Sequence, residues 1–105
     1  MSFLPYPTSV DPHKIAYLVS SGKAGFFIQH GFDPQRNPNE LSAALRNHPI
    51  RNHIENTFAT GHGIKYTVRC TLESPDGRHP CTFTVWIVDK GTQVARFVTG
   101  YASPP

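Results

Sequence analysis

The side chains best suited to chemistry in this 105-residue chain are six histidines, ten lysines and arginines, and four tyrosines. The sequence contains no G-x-S-x-G motif, no P-loop and no G-x-G-x-x-G motif, which argues against serine hydrolases and nucleotide-binding enzymes. No two histidines have H-x-x-x-H or H-E-x-x-H spacing, and Cys70 and Cys81 form no C-x-x-C pair, so no metal site is predicted. The seven carboxylates lie mostly at predicted caps and turns, which disfavours glycoside hydrolysis.

The remaining chemistry is metal-independent and needs no cofactor. RNA cleavage by attack of a 2′-OH on the neighbouring phosphate suits these residue types, because the substrate supplies its own nucleophile. The protein then adds a base, an acid and cations. The net charge of +3 permits an RNA partner without requiring one. Among the histidines, His62 is the strongest candidate, since the glycines on either side of it form a loop ahead of a predicted strand.

Helices are predicted in the first half of the chain. Asp11-Pro12 combines an N-cap acceptor with proline at the first helical position, and Gly22 ends this helix. A second helix is predicted from Lys23 to His30, with Gly31 as a Schellman-type stop. A third begins at the capping-box residue Asn37 and is expected to close at Pro49.

Strands are predicted in the second half. Apolar and polar residues alternate without an error over residues 64–73, and the turn Ser74-Pro75-Asp76-Gly77 follows. Further strands are expected at 81–88 and 93–101, with an additional edge strand at 54–58. The predicted fold is therefore α+β, with two to three N-terminal helices packed on an antiparallel meander of three to four strands. It forms one domain over residues 1–105, with an irregular arm (1–10), a helical part (11–49) and a β-meander (54–101).

The predicted strand register sets which residues share a face. If Leu72 lies opposite Cys81, apolar residues meet apolar residues in the first hairpin. In the second hairpin, Thr84 would pair with Arg96 and Trp86 with Val94. The helix-covered face would then hold Ile64, Tyr66, Val68, Cys70, Leu72, Cys81, Phe83, Val85, Ile87 and Phe97, and the opposite face Lys65, Thr67, Arg69, Thr71, Thr82, Thr84, Trp86 and Arg96.

That opposite face has the composition of an RNA-binding surface. Arginines and hydroxyls bind phosphate oxygens, and a tryptophan offers a stacking plane for a base. The predicted RNA-binding residues are Lys65, Arg69, Thr84 and Trp86. The alternative is a solvated outer face whose threonines are simply good strand formers.

Nothing in the sequence points to a membrane. No apolar run approaches about 18 residues, and the first ten residues do not resemble a signal peptide. A cytoplasmic protein is therefore expected. In this register Cys70 and Cys81 are diagonal neighbours, and disulfides are rare in the cytosol, so both are expected to be reduced.

Several phrases resemble a small bacterial family of domains of unknown function. They include Gly22-Lys23-Ala24, Pro75-Asp76-Gly77-Arg78, Thr84-Val85-Trp86-Ile87-Val88 and Arg96-Phe97-Val98-Thr99-Gly100-Tyr101, within about residues 11–101. The resemblance implies a component of toxin–antitoxin or polymorphic toxin loci. The order of helices and strands also resembles the barnase–EndoU–colicin–RelE-like RNases, a likeness of fold only. The motif positions carried over are Lys23, Arg78, Trp86, Arg96, Thr99 and Tyr101.

Two functional hypotheses follow. The first is a metal-independent RNase toxin-like domain whose catalytic residues are Lys23, Arg78, Arg96, Thr99, Tyr101 and His62. The second is a non-catalytic protein- or nucleic-acid-binding module of a toxin–antitoxin type system. The expected partners are RNA and a cognate antitoxin or immunity protein. Each motif residue also has a structural interpretation: Trp86 as packing, Arg78 as a turn cap, and Thr99 and Tyr101 facing the helices.

Overall fold

The computed structural model describes residues 2–105 and places three helices on one face of a five-stranded sheet. The helices are α1 (Pro12–Ser20), α2 (Gly25–Gln29) and α3 (Pro38–Arg51). The strands are β1 (Thr8–Ser9), β2 (Ile54–Ala59), β3 (Gly63–Thr71), β4 (Cys81–Asp89) and β5 (Ala95–Ala102), in the order β1-β5-β4-β3-β2. The predicted α+β class with N-terminal helices on a sheet is confirmed. No helix within residues 2–105 is long and apolar enough to cross a membrane.

The helix starts follow the expected local chemistry. The Asp11 carboxylate accepts from the backbone N–H of His13, so it caps α1 as predicted. Asn37 occupies the N-cap position of α3 but makes no side-chain cap hydrogen bond, so the predicted capping box is wrong. The expected closure at Pro49 is also wrong, because α3 includes Pro49 and ends at Arg51. The second helix is shorter than predicted, since residues 23 and 24 form a turn before it.

The end of α2 is joined to the β3–β4 turn. Gly31 has a φ of 97°, and the Schellman bond runs from the N–H of Phe32 to the carbonyl of Phe27, as the sequence predicted. A Cβ on Gly31 would lie 3.1 Å from the Pro75 side chain. The Asp76 carboxylate meets His30 Nδ1 at 3.0 Å. The Pro75-Asp76-Gly77-Arg78 phrase therefore forms a turn docked on the helices.

The predicted antiparallel meander is confirmed by the consecutive pairing of β3, β4 and β5. The predicted edge strand is also present as β2, antiparallel to β3. The N-terminal arm was predicted to be irregular, but it contributes β1. That strand pairs in parallel with β5, with Thr8 opposite Ala95 and Ser9 opposite Arg96. The sheet therefore has five strands rather than three to four.

The predicted register is wrong in both hairpins. Thr71, not Leu72, lies opposite Cys81, and Val68 lies opposite Thr84. In the second hairpin Trp86 lies opposite Phe97, and one extra residue on β5, Val98, separates this pair from the next. A one-residue slip moves side chains to the other face of the sheet. On β4 the slip places Thr82, Thr84, Trp86 and Val88 toward the helices.

The core lies between this face and the helices. Leu41 and Leu45 of α3 are fully buried there together with Val68 and Trp86. Burial of each large apolar side chain contributes about 1.5–3 kcal/mol. Phe83, Val85 and Ile87, predicted to face the helices, belong instead to the opposite face, which no helix covers. That open face carries an apolar centre instead of the predicted row of hydroxyls.

The two cysteines are paired. The structure joins Cys70 and Cys81 as a disulfide between β3 and β4, with their Cα atoms 3.9 Å apart. The expectation of two reduced cysteines is therefore wrong. In the predicted register the residue opposite Cys81 is Leu72, two positions from Cys70, whereas in the structure it is Thr71, directly next to Cys70. The wrong register therefore explains the expectation of reduced cysteines, because it separates the pair by one residue too many.

Candidate functional site

Two of the four predicted RNA-binding residues are inaccessible. Thr84 and Trp86 have no exposed surface and lie in the core, so neither contacts RNA in this fold. Lys65 and Arg69 do lie on the open face, but Arg69 Nε is 2.6 Å from the Glu55 carboxylate. Its charge is largely neutralised within the protein. The predicted stacking platform with flanking arginines is therefore wrong.

Thr84 and Trp86 instead form a buried polar network with His48. The indole Nε1–H of Trp86 donates to Thr84 Oγ at 2.8 Å, and Thr84 Oγ is 2.8 Å from His48 Nδ1. His48 Nε2 lies 2.9 Å from the carbonyl of Cys70. One proton arrangement satisfies all four groups: Thr84 donates to Nδ1, and Nε2–H donates to Cys70. Burial lowers the pKa of His48, so its ring is neutral.

The six predicted catalytic residues do not form one site. Arg78 lies in the turn before β4, whereas Arg96 lies opposite Ile87 near the other end of that strand. The start of β4 and Ile87 are six residues apart along the strand, which corresponds to about 20 Å between Arg78 and Arg96. Arg96 is paired with Asp89 at 2.6 Å, and the exposed His62 lies in the neighbouring β2–β3 loop. Tyr101 packs on Phe83 on the open face, with ring centroids 5.1 Å apart.

The remaining two predicted residues, Lys23 and Thr99, belong to the same cavity. They line one cavity of about 400 Å³ between α1 and the edge of β5, which we call the α1–β5 cavity. Leu18 and Phe97, both buried, give it an apolar floor. The extra residue Val98 lies in its wall, and β-bulges of this kind are common next to functional sites. The complete lining is Asp11, His13, Lys14, Tyr17, Leu18, Lys23, Phe97, Val98 and Thr99.

The first turn of α1 supplies an oriented histidine to this cavity. The Asp11 carboxylate that caps the helix also lies 3.0 Å from His13 Nδ1. When Nδ1–H donates to Asp11, Nε2 is left as an unprotonated acceptor facing solvent. The hydrogen bond from the backbone N–H of His13 lowers the pKa of Asp11, so this carboxylate stays ionised. Asp11 and His13 therefore form a carboxylate–imidazole pair at the N-terminal end of α1.

Lysines supply the positive charge. Lys23 follows α1, and its Nζ lies 5.8 Å from the centre of the Tyr17 ring, a cation–π arrangement. Lys14 lies half-buried one turn before Leu18 on the same helix. The spacing of Lys14, Tyr17 and Leu18 at i, i+3 and i+4 places all three on one side of α1.

The charge distribution distinguishes this cavity from the rest of the surface. Within residues 2–105, every arginine except Arg46 is paired with a carboxylate, and all the carboxylates except Glu40 are paired with an arginine or a histidine. Arg46 donates instead to Ser42. Among residues 2–105, by contrast, no lysine takes part in an ion pair. Two of the four lysines line the α1–β5 cavity together with one carboxylate, Asp11, so its lining carries more positive than negative charge.

The residues present show no arrangement for a metal ion. In the part of the chain from Ser2 to Pro105, no three or more His, Cys, Asp or Glu side chains are grouped to hold one. The α1–β5 cavity offers one imidazole and one carboxylate, already bonded to each other, together with two ammonium groups. This donor set favours an anionic ligand over a cation.

Sequence reasoning missed Asp11, His13, Lys14 and Tyr17 as site residues. Asp11 was interpreted only as a helix cap, and His13 only as a member of the first turn. The signal was available: an N-cap carboxylate two residues before a histidine can bond its ring, and Lys14 follows directly. What the sequence did not reveal is that this helix end faces the edge of β5.

Comparison with known proteins identifies a family and nothing more specific. The sequence model of the domain of unknown function DUF6883 matches residues 9–104, nearly the whole chain. No curated protein and no solved structure matches the chain.

Proposed function

The chain belongs to the DUF6883 family, and we propose that it cleaves RNA without a metal ion by 2′-OH transesterification in the α1–β5 cavity. One observation carries this proposal: Lys14 and Lys23, which have no carboxylate partner within residues 2–105, line the same cavity as a carboxylate-oriented histidine. Cations that bind phosphate oxygens and a base that removes a proton are the two requirements of this reaction.

The proposed reaction assigns a role to each group. The ammonium groups of Lys14 and Lys23 bind the non-bridging oxygens of the phosphate. His13 Nε2 takes the proton of the 2′-OH as the 2′-oxygen bonds to phosphorus. The bond from phosphorus to the 5′-oxygen breaks, and this oxygen takes a proton from Lys23. The products are a 2′,3′-cyclic phosphate and a 5′-hydroxyl.

The apolar floor and Tyr17 complete the cavity. Leu18 and Phe97 exclude water from one side of the bound phosphate, which strengthens its interaction with the lysines. The Tyr17 side chain is 57% exposed at the rim, where its ring offers a stacking surface for a base. In this proposal Tyr17 takes the role that the sequence assigned to Trp86.

The test uses an oligonucleotide with a single ribonucleotide in a DNA strand, incubated with a chelator. Cleavage at that nucleotide, with a 2′,3′-cyclic phosphate seen by mass spectrometry, is the expected result. His13→Ala and Lys23→Ala should each lower the rate by about 10²-fold or more. His62→Ala and Lys65→Ala are matched controls outside the cavity and should retain the parent rate. Cleavage of the all-DNA strand, or full activity of His13→Ala, would disprove the proposal.

A second candidate function is a non-catalytic binding module. It is favoured by the exposure of His13, whose side chain is 96% accessible and therefore well solvated in the free protein. In that case the cavity binds an anionic partner without changing it. Binding of RNA by the parent protein with no cleavage product would select this alternative.

The toxin-like role is part of the same proposal. An RNase acting on cellular RNA would arrest bacterial growth and would require a cognate antitoxin or immunity protein. Expression of the parent chain should therefore arrest growth, and Lys23→Ala should relieve the arrest. Arg96→Ala should not relieve it, because Arg96 is paired with Asp89 outside the cavity.

A further inference from the structure

The edge of β5 next to the α1–β5 cavity is incomplete. β1 pairs with β5 only at Ala95 and Arg96, although β5 continues to Ala102. Residues 97–102 therefore have β4 on one side and, within residues 2–105, no strand on the other. An unpaired strand edge presents backbone N–H and C=O groups in a row and is a template for another strand.

The course of β1 shows where an added strand would lie. The carbonyl of Pro7 accepts from the N–H of Ala95 at 2.9 Å, and β1 ends two residues later at Ser9. The chain then turns into α1 at Asp11 and leaves the line of the sheet. A guest strand that continues this line would lie about 4.8 Å from β5, between residues 97–99 and α1. That space is the α1–β5 cavity.

We infer that an extended acidic segment of a partner protein binds as a sixth strand on residues 97–102 of β5 and fills the α1–β5 cavity. Strand addition of this kind takes its affinity from backbone hydrogen bonds and its specificity from side-chain sites beside the edge. Here those sites are Lys14 and Lys23, which have no ion-pair partner within residues 2–105. Carboxylates on alternate residues of the guest strand supply the missing negative charge.

A second copy of this chain is a poor occupant of the edge. Within residues 2–105, five of its seven carboxylates are already in ion pairs with arginines, and a sixth is bonded to His13. The one acidic residue of its own edge strand β2, Glu55, is among the five, since it is bonded to Arg69. Pairing of β2 with β5 of another copy would leave Lys14 and Lys23 uncompensated. The charge balance therefore favours an acidic partner over self-association.

The inference also concerns regulation, and this part rests on the proposed function. An acidic strand in the cavity occupies the positions that the RNA phosphates would take on Lys14 and Lys23. Binding of the strand and of RNA would then be mutually exclusive.

The binding test uses a blocked peptide of alternating Glu and Val, about eight residues long, which covers the six-residue edge. The same peptide N-methylated at alternate residues keeps its charge but lacks the N–H donors on one edge. A peptide of alternating Lys and Val reverses the charge. The acidic peptide should bind, and N-methylation or the Lys23→Ala substitution should weaken binding about tenfold or more. Lys65→Ala, a lysine outside the cavity, should leave binding unchanged.

Amide hydrogen exchange locates the bound strand. The acidic peptide should slow exchange at residues 97–102 and leave β2 unchanged. Equal binding of the N-methylated or the basic peptide would overturn the inference, as would protection on β2. Protection of residues 97–102 that appears without peptide and rises with protein concentration would show that a second copy occupies the edge, and would also overturn it.

Cleavage of the single-ribonucleotide strand in the presence of peptide tests regulation separately. Loss of cleavage as the peptide saturates its site is expected. If the parent protein binds the acidic peptide but cleaves no RNA, the proposed function fails and the binding site stands. If cleavage continues at saturating peptide, strand addition stands and the regulatory role is disproved.

Discussion

One hydroxyl, that of Thr84, connects two buried nitrogens that would otherwise have no partner. It accepts from Trp86 Nε1 and lies against His48 Nδ1, and all three residues are fully buried. A buried polar group that loses its hydrogen bond costs about 1–3 kcal/mol. The hydroxyl therefore contributes more to stability than its size suggests.

Thr84→Val keeps the shape of the side chain and removes this hydroxyl. We expect the free energy of unfolding to fall by about 1–3 kcal/mol or more, because both Trp86 Nε1 and His48 Nδ1 lose their partner. Urea denaturation measures the change. Thr57→Val, at an exposed position of β2, is the matched control and should change stability by less than about 0.5 kcal/mol. Equal stability of Thr84→Val and the parent would contradict the network.

The lowered pKa of His48 makes stability depend on pH. Desolvation is the largest cause, and the Arg51 charge adds to it, while hydrogen bonds to the backbone at Cys70 and Thr82 oppose it. Below its ordinary pKa of 6.5, His48 binds a proton in the unfolded chain that it excludes in the folded protein. The stability that the neutral, buried His48 ring contributes is therefore fully present above that pH. As the pH falls below it, the free energy of unfolding decreases by up to about 1.4 kcal/mol per pH unit.

The pH dependence of stability that comes from His48 can be distinguished from the pH dependence that comes from the carboxylates. The pKa values of Asp76 and Asp89 are lowered, chiefly by the Ser74 hydroxyl and by Arg96, so their contributions are lost only as the pH falls below about 3.8. Urea midpoints between about pH 7 and 5 should fall for the parent and fall less steeply for His48→Gln. If His48→Gln does not fold, NMR of the parent protein should still show the His48 ring as the neutral, Nε2-protonated tautomer at pH 7. An imidazolium at that pH would contradict the assignment.

At the scale of the elements, β3 was predictable and the faces of β4 were not. Residues 64–73 alternate between apolar and polar side chains because one side of β3 faces the core. All residues of β4 from Thr82 to Val88 except the half-buried Phe83 are buried, on both faces, so its pattern contains no information about which side faces the helices. The predicted register assumed that its threonines face solvent. They are buried instead, because His48 gives Thr84 a polar partner and Thr82 donates to the carbonyl of Pro80.

The same reasoning explains why the site was predicted in part. Lys23 and Thr99 were named from sequence phrases, and the structure brings them together. His13 and Lys14 were missed because no local signal shows that α1 packs beside β5. That placement depends on the arm: β1 joins the edge of β5, and the chain turns directly into α1. A strand of two residues in a proline-containing segment is too short to show an alternating pattern, so the sequence does not predict it.

The disulfide is a property of the β3–β4 pair. Cys70 and Cys81 enclose a loop of eleven positions, for which the chain-entropy estimate is about 3 kcal/mol. Reduction should therefore lower the thermal midpoint, and Cys70→Ser with Cys81→Ser should reproduce the lower value and be insensitive to reductant. Mass spectrometry after alkylation of the unreduced protein should show no free thiol. Two alkylated thiols in protein purified without reductant would contradict the bond, and the expected cytoplasmic location, where disulfides are rare, stays a prediction.

At the scale of the whole molecule, arginines and lysines have different roles. Two of the ion-paired arginines join different elements of the fold, Arg51 with Glu73 and Arg69 with Glu55, and the other three pair with a nearby residue of the chain. The lysines lie outside these pairs, and two of the four are placed at one cavity. We therefore propose that this cavity binds anions, although the whole chain has a net charge of only +3.

The salt dependence of RNA binding tests this claim most directly. The probe is a short single-stranded RNA with 2′-O-methyl groups, which cannot be cleaved, titrated at several salt concentrations. Lys14→Ala and Lys23→Ala should each weaken binding and lower the slope of log affinity against log salt by about 0.7. Lys65→Ala and Lys90→Ala, which remove the same charge elsewhere, should keep the parent slope. Four equal slopes, or a loss confined to Lys65→Ala and Lys90→Ala, would contradict the assignment of the α1–β5 cavity as the RNA site.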